Sequence, residues 1–596
     1  MHNFNNQVKL KIFILTTLIS NILVGQKLFK SNDNYNILTN QFTKRFDERN
    51  EIGMIYLSNK INDTLIEKIT IIGQTWGFLK YYHPTVANGY FDWDSVLTKS
   101  LKEIIRSDTT NINKIIHNWF NLFDSDKKLK RFNLQNEKTK LTPDFTWLDN
   151  SLLNDTIIKK LNNVKRLKRN GRNRYVKLNP GILNPNFDSE LEYSEKKIPD
   201  SYLRLLGLIR YWNIIQYFYP YRNLIDQNWN DILPEFIPVF FNSSSEIEYK
   251  LAILTLISRV KDSHAQLYGN DETIAQYKGL KIAPLNVRFI ESKLVVTGYK
   301  DNLGETSGLK IGDIIDSING ESIKELLNER LAITSGSNYK TQLRNLCSNL
   351  LRTNDSSLII VANRNTTVKK INVSCYPISK FSTNDKIIKK DTCYKLINSN
   401  IAYLNVGSIK KDYLNLFMPD ILKTKGLIID LRVYPSDFIV FHLGRYFFRH
   451  PKNFVKFTNG SIQNPGYFTY SKKLKVGIKN KNYYKGKVVI LIDENTQSSS
   501  EYHAMAFKTA SNSITIGSSS AGADGNISIL SLPGGVKTMI SGIGVYYPDG
   551  TETQRIGIKP DIEIHPSIKG ISEQRDEILE KAIEIIENSN SAGHPN

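Results

Sequence analysis

The first residues that could do chemistry lie late in the chain, around Ser498. This serine follows an apolar run, Val488–Ile492, and a polar turn, and residues 502–508 have a helical pattern. A serine on a strand-to-helix turn sits beside the free N–H groups and the positive dipole end of the helix. A nucleophile for acyl transfer needs that setting, because negative charge develops on the carbonyl oxygen it attacks.

Other interpretations of the same residues stay open at this point. Ser498 with Glu501 three positions later is also a capping box, a common way to begin a helix. Ser499 and Ser500 are neighbouring hydroxyls that compete for the role. His503 lies on the same predicted helix, but its side chain points away from a hydroxyl at the helix start, so we predict a structural role.

A general base is suggested much earlier, at His264. An apolar helical segment, 251–267, runs into Asp262-Ser263-His264-Ala265. Histidine has the near-neutral pKa that a base for a serine hydroxyl needs. A capping or packed histidine is the alternative.

Composition indicates a globular, exported protein. The 596 residues are 40% hydrophobic and 11% aromatic. Lys9 and Lys11 precede the apolar run Ile12–Gly25, which predicts a signal peptide at 1–25 and a periplasmic, cell-envelope or extracellular location. An uncleaved N-terminal anchor is the alternative. No later run is apolar and long enough to predict a membrane span.

The net charge is +21, and the excess of basic over acidic residues is greatest at Lys159–Lys177. Asn170-Gly171 within it predicts a basic β-hairpin. A nucleic-acid partner is not expected, because aromatic residues barely interrupt the basic run and the chain has an export signal.

The cysteines, Cys347, Cys375 and Cys393, have no metal-ligand spacing and cannot form a complete disulfide framework. No metal-binding histidine spacing and no phosphate-binding glycine loop occurs, so we predict no cofactor and no metal.

The fold class expected is multidomain α+β. Residues 26–270 are predicted to be mostly helical, with an internal duplication: Trp76 and Trp93 are spaced around a proline as Trp212 and Trp229 are. Residues 279–375 alternate as strands. Residues 395–590 alternate strands and helices, which predicts an α/β domain.

Two resemblances follow from these motifs. The segment GLKIGDIIDSINGESI resembles a PDZ domain, which binds a peptide as an added strand. The motifs DSHA at 262–265, GLIIDLR at 426–432, TQSSSE at 496–501 and GIKPDIEI at 557–564 resemble the C-terminal-processing, or tail-specific, serine proteases. That family implies a crotonase/ClpP-like catalytic domain. The loop after Ser498 lacks the lysine of the family's Ser–Lys branch, so the chain resembles the tricorn-like Ser–His–Glu branch.

The resemblance implies a role for each site residue. Ser498 is the expected nucleophile and His264 the expected base, oriented by Glu552, with Gln554 fitting the branch's spacing as an alternative. The N–H groups of Ser499 and Tyr434 are expected to form the oxyanion hole.

The predicted function is an exported serine endopeptidase whose protein or peptide substrates are delivered or gated by the PDZ-like domain. A catalytically silent binding protein on the same scaffold is the alternative. The sequence does not indicate an oligomeric state.

Overall fold

The computed structural model describes residues 61–107, 109–123, 139–169, 171–381 and 393–591. The predicted signal peptide at 1–25 lies outside the described residues. Helices and sheets are mixed, in agreement with the predicted α+β class. The unit boundaries, the PDZ-like identity of 279–375 and the crotonase-like identity of 395–590 stay predictions.

The first unit is mainly helical. Its helices are α1 (Asp63–Tyr82), α2 (Pro84–Ala87), α3 (Trp93–Arg106), α4 (Ile112–Asn121), α5 (Asp155–Lys165), α6 (Ser201–Phe218), α7 (Trp229–Asn242), α8 (Glu246–Ser258) and α9 (Glu272–Lys278). Short strands β1 (Thr139–Leu141), β2 (Lys177–Leu178) and β3 (Pro185–Asn186) interrupt them. Helices α1 and α6 have nearly all their residues buried, because they pack on every side against the other elements.

The internal duplication of the sequence corresponds to two equivalent pairs of hydrogen bonds between tryptophans. Trp76 Nε1 donates to Trp93 O at 2.8 Å, and Trp93 Nε1 donates to Trp76 O at 3.0 Å. Trp212 and Trp229 repeat the pair at 2.7 and 2.9 Å. All four indoles are buried, so each pair fixes a long helix against the start of the next one.

The basic hairpin predicted around Asn170-Gly171 stays a prediction, because Asn170 at its turn lies outside the described residues. Before the turn, helix α5 occupies Asp155–Lys165 and is capped by the Asn154 side chain. Its apolar residues Ile157, Leu161 and Val164 recur at helical spacing and are buried. After the turn, an antiparallel ladder joins β2 to β3.

The middle unit is built on two antiparallel sheets. Its strands are β4 (Lys281–Ile282), β5 (Leu285–Ile290), β6 (Lys293–Tyr299), β7 (Ile314–Ile318), β8 (Glu321–Ser322), β9 (Arg352–Thr353), β10 (Ser357–Arg364), β11 (Thr367–Ser374) and β12 (Tyr376–Pro377). Its helices are α10 (Asn302–Glu305), α11 (Ile323–Arg330) and α12 (Tyr339–Leu350). The larger sheet has the order β11-β10-β7-β6-β5, so β5 is an edge strand, and α12 packs beside it.

The last unit contains the parallel sheet that carries Ser498. The sheet order is β13-β14-β15-β19-β20-β24, parallel from β14 onward. These strands are β13 (Tyr394–Asn398), β14 (Ile401–Asn405), β15 (Gly426–Asp430), β19 (Lys487–Ile492), β20 (Ser513–Gly517) and β24 (Ile562–Glu563). A second, five-stranded sheet contains β16 (Lys452–Gly460), β17 (Phe468–Tyr470), β18 (Leu474–Val476), β23 (Val545–Tyr546) and, paired with β17, strand β1 of the helical unit. The helices are α13 (Leu414–Ile421), α14 (Val440–Gly444), α15 (Ser499–Phe507), α16 (Ile568–Ser572) and α17 (Glu577–Ser591).

A hairpin from this last unit is built into the helical unit. Strands β21 (Ile527–Leu532) and β22 (Val536–Ser541) pair with each other over their whole length. Leu530, Leu532, Val536 and Ile540 belong to the same hydrophobic core as α1 and α6. The hairpin therefore packs the last unit against the N-terminal helices.

Candidate active site

Ser498 occupies a strained turn between strand β19 and helix α15. Strand β19 is almost wholly buried between β15 and β20. The backbone of Ser498 has φ 54° and ψ −114°, a conformation that L-residues rarely adopt. Its N–H lies 2.9 Å from Ala523 O and 3.0 Å from Glu501 Oε2. Such strain persists only where the surroundings enforce it, and it concentrates at functional sites.

Glu501 enforces the turn from the first turn of α15. Besides the Ser498 N–H, its carboxylate accepts hydrogen bonds from Ser520 Oγ at 2.5 Å and from the N–H groups of Gly522 and Ala523 at 2.8 and 3.0 Å. Burial raises the Glu501 pKa, and these hydrogen bonds oppose that effect. The contact to Ser498 N–H is the one a capping box makes, so the capping interpretation and the strained serine coexist.

The neighbouring rivals of Ser498 are engaged elsewhere. Ser500 Oγ donates to Val433 O at 3.1 Å. His503 Nε2 accepts from Ile439 N–H at 3.2 Å, so Nδ1 carries the proton and donates to Ser499 O at 2.6 Å. Burial lowers the His503 pKa to about 4. A neutral histidine with both nitrogens bound to backbone fits the structural role predicted for it.

His264 is held by a chain of polar groups on its Nδ1 side. Nδ1 lies 2.9 Å from Ser541 Oγ, and Ser541 Oγ lies 3.0 Å from Asp262 Oδ1. A carboxylate only accepts, so the single hydroxyl proton of Ser541 goes to Asp262. Ser541 Oγ must then accept from His264 Nδ1–H, which leaves Nε2 unprotonated. This is the tautomer that a general base requires.

Arg344, on α12, links the His264 side of the site to the Ser498 side. Its guanidinium donates to Glu494 O and to Gln497 Oε1, both at 2.7 Å, in the loop that leads to Ser498. The pKa of His264 is lowered by burial, raised by Asp262 and lowered again by Arg344. The same cation therefore contacts the nucleophile loop and acts on the imidazole.

Residues that neighbour His264 and residues that neighbour Ser498 line a single cleft of about 730 Å³. Ser263 and Gln266 flank His264, and Tyr434 and Gln497 approach Ser498. The remaining wall comes from the middle unit, including β5 and α12. A polypeptide lying along β5 would therefore lead toward the region of both groups.

Glu552 forms an ion pair away from Asp262 and Ser541, and its predicted role in orienting His264 stays a prediction. Its Oε1 lies 2.5 Å from Lys140 Nζ, in an ion pair with the helical unit. The Nδ1 nitrogen of His264 is bound by Ser541 instead. Gln554, the alternative, is fully buried and its Nε2 lies 3.3 Å from Asp262 Oδ1. The geometry thus supports Asp262 and Ser541, with Gln554 behind them, as the group that orients His264.

Tyr434 reaches the serine through its side chain. Burial raises its pKa to about 12, while hydrogen bonds with the Ser498 side chain and with the backbone of Ser499 act in the opposite direction. The pKa of the Tyr434 phenol therefore responds to Ser498 and to Ser499, whose N–H is the first donor predicted for the oxyanion hole. The role predicted for the backbone N–H of Tyr434 stays a prediction.

Ser541 was missed by the sequence analysis, although a signal was present. Two alternating apolar segments, Ile527–Leu532 and Val536–Ile540, flank Pro533-Gly534-Gly535, which is a hairpin pattern. The partner of Ser541 could not be read from that pattern. It depends on Gln266 and Tyr268 pairing with β22, through Met539 N–H to Gln266 O at 3.2 Å and Tyr268 N–H to Lys537 O at 2.8 Å.

Within 61–107, 109–123, 139–169, 171–381 and 393–591, no group of three or more His, Cys, Asp or Glu side chains is arranged to hold a metal ion. In the same part of the chain, none of the helices combines the length and the apolar character needed to cross a bilayer. All three cysteines are buried and free of disulfides.

Residues 400–564 match the sequence model of peptidase family S41. A search of the curated proteins found no match. The matched segment begins just before β14, contains Ser498 and ends just after β24, so it covers the parallel strands of the sheet but not β13.

Solved structures share the fold over about two thirds of the chain. A serine-to-alanine mutant of CPAF has a TM-score of 0.52 at 12% identity, covering 66% of this chain and 99% of its own. Mature CPAF has a TM-score of 0.50 at 13% identity, with the same two coverages. The photosystem II D1 C-terminal processing protease has a TM-score of 0.37 at 14% identity, covering 65% of this chain and 97% of its own.

Proposed function

Because this chain belongs to peptidase family S41 and is a serine peptidase, we propose that it is an exported endopeptidase that cleaves protein or peptide chains through an acyl-enzyme on Ser498. The observation that carries the proposal is the strained backbone of Ser498 at the head of α15. That turn aims a half-buried hydroxyl at the end of a buried strand, where the helix offers N–H groups to a developing oxyanion.

The proposed reaction uses His264 as the base. Ser498 Oγ attacks the scissile carbonyl carbon while His264 Nε2 takes the hydroxyl proton, and the carbonyl oxygen becomes an oxyanion near Ser499 N–H. The C–N bond breaks as the imidazolium returns that proton to the leaving amine. Water then attacks the ester, His264 takes one of its protons, and the acid product leaves with Ser498 Oγ reprotonated.

The positive charge on His264 during each half of this reaction needs a nearby acid. Asp262 is buried, and its Oδ2 accepts the Ser541 N–H at 2.6 Å while Oδ1 accepts the Ser541 hydroxyl. Its charge raises the pKa of His264, which stabilises the imidazolium. Asp262 therefore has the electrostatic role in this proposal, acting through Ser541.

The middle unit is proposed to capture or gate the substrate. Strand β5 is an edge strand of its sheet, and apolar residues of β5, of α12 and of the C-cap of α12 line the cleft: Leu285, Val287, Phe289, Leu343, Cys347 and Leu351. An extended peptide can add to such an edge as a further strand. Arg288, on β5, contacts Asp493 at 3.1 Å and Glu494 at 2.5 Å, so the docking strand is tied to the nucleophile loop.

Export is proposed from the signal-peptide pattern at 1–25. Detection of the mature chain outside the cytoplasm, beginning near Gln26 by N-terminal sequencing, supports it. An unprocessed chain in the cytoplasm contradicts it and leaves the peptidase proposal untouched.

A fluorophosphonate probe and an unfolded protein substrate test the chemistry together. We expect the probe to modify Ser498, and we expect Ser498→Ala and His264→Ala each to abolish cleavage. Ser500→Ala and His450→Ala are the matched controls, because Ser500 Oγ is bound to Val433 O and His450 is exposed.

Two results would reject the proposal. Folded wild-type protein that neither reacts with the probe nor cleaves the substrate would be a silent binding protein on this scaffold. Cleavage that survives Ser498→Ala would mean that another group is the nucleophile.

A further inference from the structure

The last unit contains a long segment whose charges are all positive. Residues 438–492 contain two arginines and nine lysines, and neither aspartate nor glutamate occurs among them. The net charge of the whole chain is +21, so this segment contributes about half of it. Charge of one sign concentrated in this way determines which partners approach a protein surface and bind to it.

The later part of the segment, residues 472–487, lies at the molecular surface. It contains β18, which is the edge strand beside β16 in the second sheet, and the loop that leads from β18 to β19. The side chains at an edge strand and in a loop project into solvent, as these do. The exposed lysines of this part are Lys472, Lys473, Lys475, Lys479, Lys481 and Lys485.

An earlier basic part, residues 445–452, lies beside the later one. Asn480 N–H donates to Arg449 O at 3.1 Å, and Tyr484 N–H donates to Tyr446 O at 2.6 Å. Strand β18 also pairs antiparallel with β16, which begins at the end of the earlier part. The two parts therefore bring their cations to one surface. The exposed cations of the earlier part are Arg445, Arg449 and Lys452.

We call residues 445–452 and 472–487 together the basic face. In the part of the chain that the structure describes, none of its nine exposed cations forms a salt bridge. The face ends toward His442, where the charges of Asp412 and Asp437 also act. Like charges held together without counter-charges repel one another, so a partner that is itself anionic would stabilise them.

Protection of the sheet edge does not account for this number of charges. A lysine or two on an edge strand is enough to stop it from pairing with another chain. Strand β18 is three residues long, and Lys475 is the one exposed lysine on it. Lys479, Lys481 and Lys485 lie beyond the strand, where there is no edge to protect.

An exposed aliphatic side chain lies among these lysines. Ile478 is 52% exposed and is flanked in the chain by Lys475 and Lys479. An apolar side chain surrounded by lysines fits the boundary between lipid headgroups and acyl chains, whereas the phosphates of a nucleic acid offer it no apolar contact. Lysine is a compact point charge that suits a diffuse anionic surface, whereas arginine is the residue that binds single phosphates in a fixed geometry, and lysines predominate on this face.

We propose that the basic face docks this protein onto the surface of a membrane that contains anionic lipids, with Ile478 reaching into the headgroup layer. The substrate cleft is lined by residues outside the basic face, so docking does not occupy the cleft. The contact does not involve Ser498 or His264, and it is independent of the proposed peptidase chemistry. Docking would hold the enzyme beside protein chains at that membrane.

Co-sedimentation of the full-length mature protein with lipid vesicles tests this proposal. One set of vesicles is phosphatidylcholine alone, and the other is equal parts phosphatidylcholine and phosphatidylglycerol. We expect partitioning onto the anionic vesicles to be at least about 100-fold stronger, and we expect it to weaken as salt rises to about 0.5 M. Ile478→Asn is expected to weaken it several-fold and to leave its salt dependence in place.

A triple variant identifies the surface that binds. Lys475→Gln, Lys479→Gln and Lys481→Gln combined should lower partitioning by about 100-fold, roughly fivefold per lysine. The matched control combines Lys99→Gln, Lys196→Gln and Lys197→Gln, which removes the same charge from exposed positions on the helical unit and should change partitioning little. Fluorophosphonate labelling of Ser498 at the wild-type rate shows that each variant is folded.

Four results would overturn the proposal. Wild-type protein could bind both sets of vesicles equally, or neither of them. The control triple could lose as much partitioning as the test triple, which would make net charge responsible and not this face. Binding to soluble dextran sulfate without binding to anionic vesicles would make the face a site for a polyanion and not for a membrane.

Discussion

His264 Nδ1 lies 2.9 Å from Ser541 Oγ, and the two residues are 277 positions apart. Ser541 is the last residue of β22, and its hydroxyl donates to Asp262, two residues before His264. The imidazole is therefore oriented by a carboxylate of its own loop, acting through a serine that a distant hairpin delivers.

Removing the Ser541 hydroxyl should impair this orientation. In Ser541→Ala the Nδ1–H of His264 loses its acceptor, so the tautomer with a free Nε2 is no longer favoured. We expect kcat to fall by about 10²–10⁴-fold, the range over which base and tautomer defects act, with little change in KM. Ser531→Ala is the control, because Ser531 lies on the same hairpin and contacts Glu192. An unaltered kcat in Ser541→Ala would remove Ser541 from the mechanism.

Glu552→Gln distinguishes the observed geometry from the prediction made on sequence. Its carboxylate pairs with Lys140, so we expect kcat to stay within about twofold of wild type, and the loss of a partly exposed pair to cost about 1 kcal/mol or less of unfolding free energy. Peptide cleavage and thermal unfolding measure the two quantities. A fall in kcat as large as that of Ser541→Ala would restore Glu552 as the orienting acid.

Arg344 should set the acid limb of the pH profile. The His264 pKa lies below its usual 6.5, first because burial disfavours the imidazolium and also because Arg344 repels it. Only neutral His264 is a base, so activity is lost as the pH falls through that pKa. Arg344→Met removes the repulsion, raises the pKa and should move the acid limb of kcat/KM to higher pH.

The control for this shift is Arg288→Met. Arg288 contacts Asp493 and Glu494 on the same loop but is not among the charges that act on His264. The acid limb of the kcat/KM profile of Arg288→Met should stay at the wild-type pH, even if kcat/KM itself changes. A limb that moves to lower pH in Arg344→Met would contradict the electrostatic role of Arg344.

Tyr434→Phe tests whether the phenol oxygen is bound to the Ser499 N–H, the group predicted to donate to the oxyanion. The Tyr434 oxygen interacts with the backbone of Ser499 and with the Ser498 side chain. Without that oxygen the N–H is free, and we expect fluorophosphonate labelling of Ser498 to become several-fold faster, since one charge-assisted hydrogen bond is worth about 1.5–3 kcal/mol. Slower labelling would instead make the phenol a donor to the oxyanion.

The reciprocal tryptophan pairs should contribute equally to stability. Trp76→Phe and Trp212→Phe each remove one indole donor and leave a buried carbonyl without it. Each is expected to lower the free energy of unfolding by about 1–3 kcal/mol, the cost of an unsatisfied buried group. Denaturant titration measures it, with Tyr90→Phe, at an exposed position, as the control. A large difference between the two tryptophan variants would argue against equivalent repeats.

Much of the fold was predictable from local sequence patterns. The buried strand before Ser498 and the helix after it were predictable because burial and capping act between residues that are near in sequence. The internal duplication was also predictable, because the spacing of Trp76 and Trp93 repeats at Trp212 and Trp229.

The amino-acid sequence by itself predicted the strand-to-helix turn at Ser498, the loop that carries His264 and the family resemblance of the parallel sheet, since each depends on a contiguous motif. Only the tertiary structure decided what holds His264 and where Glu552 lies. Ser541 reaches Asp262 because β21 and β22 pack into the helical core. Glu552 lies beside Lys140 because β1 joins the sheet of β16, β17 and β23, where Glu552 bridges Tyr546. Such partners are selected by which surfaces bury together across hundreds of residues, and no spacing along the chain encodes that choice.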